Sequence, residues 1–255
     1  MQLHWHTEPF LLISILVPLW LYFLAIGPGR FYFTTEPFPR SKAFLFTLAV
    51  CLVYLTVGSP LDQIAEQYLF VMHMVQHMLL IYAIPLLLFW GTPSWLIDGV
   101  FEKYPLILKY STPFLNPAVA GFLFTFSYTV WHIPVLYDAA INNKVIHILE
   151  HLNMFVTGIM MLWSIASPSG LLKPSPHGVK MLYIFVLMIG QLPVFAFLSF
   201  SDEILYVSYE FAPRIWGLSA NQDQILGGVV MKLTNMVVSV GVLTISFYQW
   251  YQKER

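Results

Sequence analysis

Residues 10–27 read FLLISILVPLWLYFLAIG, a run of eighteen residues without a charged side chain. A helix needs about 20 mostly apolar residues to cross a bilayer, because lipid cannot satisfy unpaired backbone groups. The segment is therefore predicted to be a membrane-spanning helix. The residues before it lack the basic region of a secretory signal peptide, so we expect this first helix to be retained.

The rest of the chain has the same apolar character. Of its 255 residues, 58% are hydrophobic and only 10% are charged, whereas soluble domains carry about 25% charged residues. Six more spans are predicted at residues 43–58, 68–90, 117–137, 143–166, 180–200 and 224–249. We therefore predict an all-α fold, a polytopic membrane helical bundle of seven transmembrane helices that forms one domain over residues 1–255. We expect Pro134 to distort the fourth span.

Charge and cysteine content narrow the class of partner. The net charge of -1 offers no basic field for nucleic acid, so we expect none to bind. The single cysteine, Cys51, excludes an internal disulfide and any paired-cysteine metal clamp within one chain.

The lysines and arginines indicate which side faces the cytoplasm, because cytoplasmic loops are enriched in them. One set of alternate connectors holds nine of these residues, namely Arg30, Arg40, Lys42, Lys103, Lys109, Lys173, Lys180, Lys253 and Arg255. The other set holds only Lys144 and Arg214. We therefore expect the N-terminus outside and the C-terminus in the cytoplasm.

Under this topology seven of the eight histidines fall at the outer side, and four of them form two pairs. His73 and His77 lie on the third span, and His147 and His151 on the fifth. A spacing of four residues puts each pair on one helical face. Imidazoles suit zinc, copper, iron and nickel, and ionisable groups at membrane depth usually mark a function. A lone histidine is often only a structural hydrogen-bonding residue, but two pairs at one depth favour a metal site.

Other polar residues occur at the same level. His132 could supply a fifth imidazole, and Glu150 could orient an imidazole as a hydrogen-bond acceptor. Asp223 opens the last span, and Lys232, two turns later, must pair with Asp223 or Glu150, snorkel or titrate. Methionines in these helices are ordinary core fillers whose thioethers also suit Cu(I). An acidic bias of the outer loops, which could favour cation approach, comes from Asp62, Glu66, Asp202, Glu203 and Glu210.

Four motifs, in order, resemble a known family. They are His73-Met-Val-Gln-His-Met-Leu-Leu80, Trp131-His-Ile-Pro-Val-Leu-Tyr-Asp138, His147-Ile-Leu-Glu-His151 and Asp223-Gln-Ile-Leu-Gly-Gly228. Together they are similar to the membrane-embedded assembly factors of caa(3)-type cytochrome c oxidase, of the CtaG type. The resemblance implies a multi-pass protein of the bacterial cell membrane that helps to supply copper to the oxidase. It also adds Trp131 and Tyr137 to the supporting site residues, whereas Lys232 departs from the family pattern.

We therefore expect a copper-binding assembly factor and not an enzyme. Copper, with Cu(I) favoured, would be bound by His73, His77, His147 and His151, with His132 as an auxiliary ligand. It would come from an external donor protein and pass by ligand exchange to cytochrome c oxidase subunits. Zinc, haem and a homo-oligomeric state remain open.

Four alternatives use the same residues in other ways. The histidines could ligate haem, or they could form a relay in a metal or proton transporter. The order His147-x-x-Glu-His151 matches the inverted motif of some zinc peptidases. A retinal photoreceptor would explain Lys232, but it requires a carboxylate where the third span offers histidines.

Overall fold

The computed structural model describes residues 4–253, so Arg255 lies outside the described residues. Six helical stretches are long and apolar enough to cross a membrane, and one bent pair of helices gives a seventh. No strand occurs within residues 4–253. The prediction of a polytopic helical membrane bundle is confirmed.

Seven helices, one short 3-10 helix and one turn of π-helix make up the first part of the bundle. They are α1 (Pro9–Ile26), the 3-10 helix (Pro28–Tyr32), α2 (Arg40–Val57), α3 (Pro60–Gln67), α4 (Phe70–Met78), the π-helical turn (Leu79–Ala83), α5 (Ile84–Gly91), α6 (Ser94–Lys103) and α7 (Pro105–Phe114). Because α4, the π-helical turn and α5 are continuous, they form one span over Phe70–Gly91.

Seven further helices complete the described chain. They are α8 (Pro117–Trp131), α9 (Pro134–Asn142), α10 (Lys144–Ala166), α11 (His177–Gly190), α12 (Leu192–Phe200), α13 (Val207–Glu210) and α14 (Ala220–Lys253). The predicted spans coincide with these helices, with ends that differ by a few residues. The connectors also contain the helices α3, α6, α7 and α13, which are too short or too polar to stand out as spans.

Local sequence explains where many helices begin. Proline lacks the amide hydrogen that would be unpaired at a helix start, so it is tolerated there. It is the first residue of α1, α3, α7, α8 and α9. The side chains of Ser59, Asn116 and Asn143 also accept hydrogen bonds from the first amides of α3, α8 and α10.

The fourth span is bent at Pro134. The axes of α8 and α9 meet at 75° across a break of two residues. The expected distortion at Pro134 is confirmed, and the span predicted over residues 117–137 is formed by two helices with a break between them. Because proline cannot continue the hydrogen-bond ladder of α8, the span breaks there and His132 lies in the bend.

The centre of the bundle is the contact between α10 and the third span. Gly158 of α10 lies directly against the π-helical turn, where an added Cβ atom would stand 2.9 Å from the carbonyl oxygen of Ile81. Only glycine permits this close backbone approach. The approach sets the distance between the histidine pairs of α4 and α10.

Hydrogen bonds near the ends of the spans divide the loops into two groups, as alternating spans require. At one end the amide of His6 donates to the carbonyl of Gly58 (2.9 Å). At the other end the ammonium of Lys42 donates to the carbonyl of Trp90 (3.3 Å). We name these the outer and inner ends, following the orientation that the basic residues predict.

Candidate metal centre

A buried group of donor atoms lies between α4 and α10. One donor atom from each of His73, His147, Glu150 and His151 lies within 4.8 Å of all the others. We name these four residues the metal centre. All four side chains are buried, and Glu150 is completely so. The two histidine pairs that the sequence singles out are therefore neighbours in space.

His77 adjoins this group. Its Nε2 atom lies 2.9 Å from Nε2 of His73. The carboxylate of Glu150 lies between the same two imidazoles, with Oε2 3.7 Å from His73 Nε2 and Oε1 3.5 Å from His77 Nε2. The sequence predicts that Glu150 accepts a hydrogen bond from an imidazole and so orients it. In the structure its carboxylate lies among the atoms that could coordinate a metal ion.

The imidazole rings pack closely against one another. Ring centroids are 4.2 Å apart for His147 and His151, and 5.2 Å apart for His73 and His147. The His77 ring lies 5.3 Å from that of His151. A haem held by two of these histidines would need a flat slot for its macrocycle between them, and rings at these distances leave none.

Several donor atoms of the metal centre have no hydrogen-bond partner within residues 4–253. They are Nδ1 of His73, Nε2 of His147, Nε2 of His151 and both carboxylate oxygens of Glu150. Nearly all buried polar atoms in proteins are paired, and each unpaired one costs about 1–3 kcal/mol. Imidazole nitrogens and carboxylate oxygens are ligands for metal ions. One ion bound among them would coordinate several of these unpaired atoms at once.

His147 is oriented by a residue that the sequence does not mark as part of the site. Its Nδ1 atom lies 2.8 Å from Oε1 of Glu66, at the end of α3. Because Nδ1–H donates to the carboxylate, Nε2 is left to present its lone pair. Burial tends to raise the pKa of the Glu66 carboxyl, but the hydrogen bond from His147 opposes it, and that pKa is lowered.

Asp223 supports the centre from a distance. Its two carboxylate oxygens accept hydrogen bonds from the amides of Phe70 (2.8 Å) and Val71 (2.9 Å). The first amides of a helix have no partner inside it. Asp223, on α14, therefore fixes the start of α4 just before His73, without contacting the donor atoms.

Lys232 is not among the residues that the structure brings together in the metal centre. The ion pairs formed within residues 4–253 do not include it. The Asp223 carboxylate accepts from two backbone amides, and the Glu150 carboxylate lies between His73 and His77. The side chain of Lys232 is only partly buried.

His132 lies beside the metal centre but outside its four residues. Its Nδ1 atom is 2.5 Å from the carbonyl oxygen of Tyr128, while its Nε2 atom is buried and has no partner among residues 4–253. Its ring centroid lies 5.9 Å from that of His77. The bend at Pro134 therefore brings this imidazole near the cluster.

The two aromatic residues that the family motif adds have different positions. The Tyr137 ring lies 5.3 Å from the His73 ring, and its hydroxyl lies 3.2 Å from that of Tyr209. Trp131 instead donates from Nε1 to the side chain of Asn153 (3.0 Å), which ties α8 to α10. Tyr137 thus packs against the metal centre, and Trp131 links α8 to the helix that carries His147.

Gln76 connects the third span to the outer acidic residues. Its Nε2 atom donates to the carbonyl of Thr56 (2.6 Å) and to Oδ1 of Asp62 (2.8 Å). Burial, together with the neighbouring charge of Glu66, raises the pKa of Asp62 to about 6. A negative charge on Asp62 is therefore unfavourable unless a cation is near.

A family model described as cytochrome c oxidase caa3 assembly factor matches residues 20–253. No curated protein and no solved structure gives a significant match to the chain. The matched region contains both histidine pairs, Glu150 and Asp223.

Proposed function

Since this chain belongs to the cytochrome c oxidase caa3 assembly factor family, we propose that it binds copper in the metal centre and delivers it to the oxidase. The family resemblance carried by the sequence motifs is confirmed. The chain has helices able to span a membrane, and its family acts in oxidase assembly. It also has a buried cluster of histidines and a glutamate that could hold a metal ion. Copper, its delivery and the bacterial cell membrane as location are the proposal.

One observation carries this proposal. The donor atoms of His147, His151 and Glu150 converge in a buried site without hydrogen-bond partners among residues 4–253. A histidine that only stabilises helix packing would place its ring nitrogens against donors or acceptors of neighbouring helices. A site built for a metal keeps them free for coordination.

The charge of the site favours Cu(I). Imidazoles serve copper in both oxidation states, and a monovalent ion beside the Glu150 carboxylate would form a neutral unit. A neutral unit is less costly to bury at membrane depth than an isolated charge. The buried methionines of these helices belong to the main core cluster, which supports a packing role for them.

In this proposal some residues bind the ion and others position the residues that bind it. His73, His77, His147 and His151 would supply imidazoles, with His132 as an auxiliary ligand. Glu66 orients His147, and Asp223 holds the start of α4 in place. Release to an oxidase subunit would need only the exchange of ligands, so no catalytic residue is required.

Zinc is the main competitor. The order His147-x-x-Glu-His151 places two imidazoles and a carboxylate in one group, as inverted zinc-peptidase motifs do. Under that alternative the pair His73 and His77 would be dispensable for metal binding. Under the copper proposal all four histidines matter.

Cells that lack this gene provide the test. They would be complemented with the wild type, with the double variant His73→Ala/His147→Ala, or with the control His4→Ala/His177→Ala. The control removes two histidines that lie outside the metal centre. Oxidase activity and the copper content of the purified oxidase would be measured at matched levels of the assembly factor.

The double variant is expected to lower both quantities by at least about tenfold, since losing even a supporting residue of a metal site costs about 10–100-fold. The control should match the wild type. Full oxidase copper with the double variant would refute the proposed delivery.

A further inference from the structure

A cavity of about 520 Å³ lies beside the metal centre at the outer end of the bundle. His147 and His151 of the metal centre line it, and residues of α1, α2 and α10 form apolar walls. His6, Asp62 and Glu66 also line it. The cavity therefore connects the metal centre with a second group of polar side chains.

This second group combines imidazole and carboxylate donors. Nε2 of His6 lies 3.5 Å from Oδ2 of Asp62, and its Nδ1 lies 3.0 Å from Oε1 of Glu8. We name His6, Glu8, Asp62 and Glu66 the outer station. Among residues 4–253, the three carboxylates of this group have one lysine within ion-pair distance, Lys144, which is 3.7 Å from Glu8. The outer station therefore favours a cation over an anion.

The position of His6 is fixed although it precedes the first helix. Its amide donates to the carbonyl of Gly58 (2.9 Å), and its own carbonyl accepts from the hydroxyl of Tyr54 (3.0 Å). Trp5 stacks on the same Tyr54 ring at a centroid distance of 5.8 Å. These contacts hold the imidazole at the rim of the cavity.

Glu66 joins the two groups. It lies four residues after Asp62 on α3, so both carboxylates share one helical face. Its Oε1 atom is also 2.8 Å from Nδ1 of His147, in the metal centre. Donors therefore continue from His6 through Asp62 and Glu66 to His147.

We propose that the outer station receives the metal ion and that the cavity is the route by which the ion reaches the metal centre. This inference rests on the proposed function. It is also supported by the lining of the cavity, which includes His147 and His151, whose Nε2 atoms are buried and without a partner among residues 4–253. The ion would move by exchanging one ligand at a time, and its oxidation state would not change.

Loading kinetics test the inference. Purified full-length protein would be mixed anaerobically with Cu(I) bound to the coloured chelator bathocuproine disulfonate, and the loss of colour would be followed by stopped flow. The variant is His6→Asn/Asp62→Asn, because neither residue is among the four of the metal centre. The matched control is Asp202→Asn, which removes one carboxylate from an exposed outer loop away from the cavity.

The variant is expected to load at least about tenfold more slowly than the wild type, in line with the effect of charge on the approach of ions. Its final copper content should equal that of the wild type, which also shows that the fold is intact. The control should load at the wild-type rate. A second variant, Val57→Trp, narrows the cavity without removing a donor and should also load slowly.

The possible failures are distinguishable. If the wild type loads and both His6→Asn/Asp62→Asn and Val57→Trp load at the same rate, the receiving role of the outer station is refuted while the metal centre stands. If the wild type takes up no copper, the proposed function itself is refuted. If His6→Asn/Asp62→Asn fails to fold, the loading rate of Val57→Trp tests the proposed route by itself.

Discussion

The Nδ1 atom of His147 lies 2.8 Å from Oε1 of Glu66, so a residue of the short helix α3 orients an imidazole of the central helix α10. The hydrogen bond assigns the proton of this ring to Nδ1. The Nε2 lone pair then faces the other donors of the metal centre. A carboxylate behind a metal-binding imidazole is a common feature of metal sites, because it fixes the ring and raises its basicity.

Removing this carboxylate should weaken metal binding. Glu66→Ala is expected to lower the affinity for copper by about 10–100-fold. Glu66→Gln should lower it less, because the amide oxygen can still accept the Nδ1–H hydrogen bond. Competition titration against a chelator of known affinity measures both. Glu203→Ala, at an exposed position of another outer loop, should leave the affinity unchanged. An affinity of Glu66→Ala within twofold of the wild type would contradict this role.

Glu150 should have opposite effects on stability and on binding. Its two buried oxygens have no hydrogen-bond partner within residues 4–253. Glu150→Gln removes a buried charge and is expected to stabilise the metal-free protein by about 1–3 kcal/mol. The same change should weaken copper binding, so added copper should raise the melting temperature less than in the wild type. Thermal unfolding with and without copper measures both effects. A less stable metal-free variant would show that the carboxylate is already satisfied by the protein.

Asp223 should matter for stability because it accepts from two helix-start amides. Asp223→Ala leaves the amides of Phe70 and Val71 without this partner and is expected to cost about 0.5–2 kcal/mol. Denaturant unfolding in detergent measures the loss, with Asp202→Ala as the control for removal of an acidic side chain. Copper affinity should fall as well, since the start of α4 carries His73. Equal stability of Asp223→Ala and the wild type would rule out this positioning role.

The raised pKa of Asp62 predicts a pH-dependent stability. The pKa of this carboxyl is about 6 in the folded protein against 3.8 for the ordinary group. Between these values the folded protein holds more protons than the unfolded chain, so stability falls as pH rises from about 4 to about 6. Asp62→Asn cannot titrate and should remove this part of the slope.

Above pH 6 the metal-free Asp62→Asn variant should therefore be more stable than the wild type by about 2–3 kcal/mol. Near pH 4 the two proteins should be equally stable. Unfolding measured at intervals from pH 4 to pH 7 tests this. Parallel curves for the two proteins would mean that Asp62 has no raised pKa.

The sequence predicts the spans and the histidine pairs because both depend on local patterns. An apolar run of sufficient length identifies a span such as Pro9–Ile26. A spacing of four residues puts His147 and His151 on one face of their helix. The meeting of the two pairs follows from their common depth in neighbouring helices.

The remaining features depend on contacts between distant parts of the chain. Glu66 and His147 are separated by six helices, α4 to α9, and no local pattern links them. Likewise, Asp223 reaches the start of α4 only because α14 packs against it. The break at Pro134 is visible in the sequence, but its 75° angle, which places His132 beside His77, depends on tertiary packing.

The binding of copper by the buried histidine pairs can be tested on the purified protein itself. Elemental analysis and a visible spectrum would be recorded for protein purified from cells without added metal. We expect about one copper ion per chain and no Soret band for the wild type and for His4→Ala/His177→Ala, and a copper content reduced at least about tenfold for His73→Ala/His147→Ala. Undiminished copper in that double variant, or zinc or a Soret band in place of copper in the wild type, would contradict it.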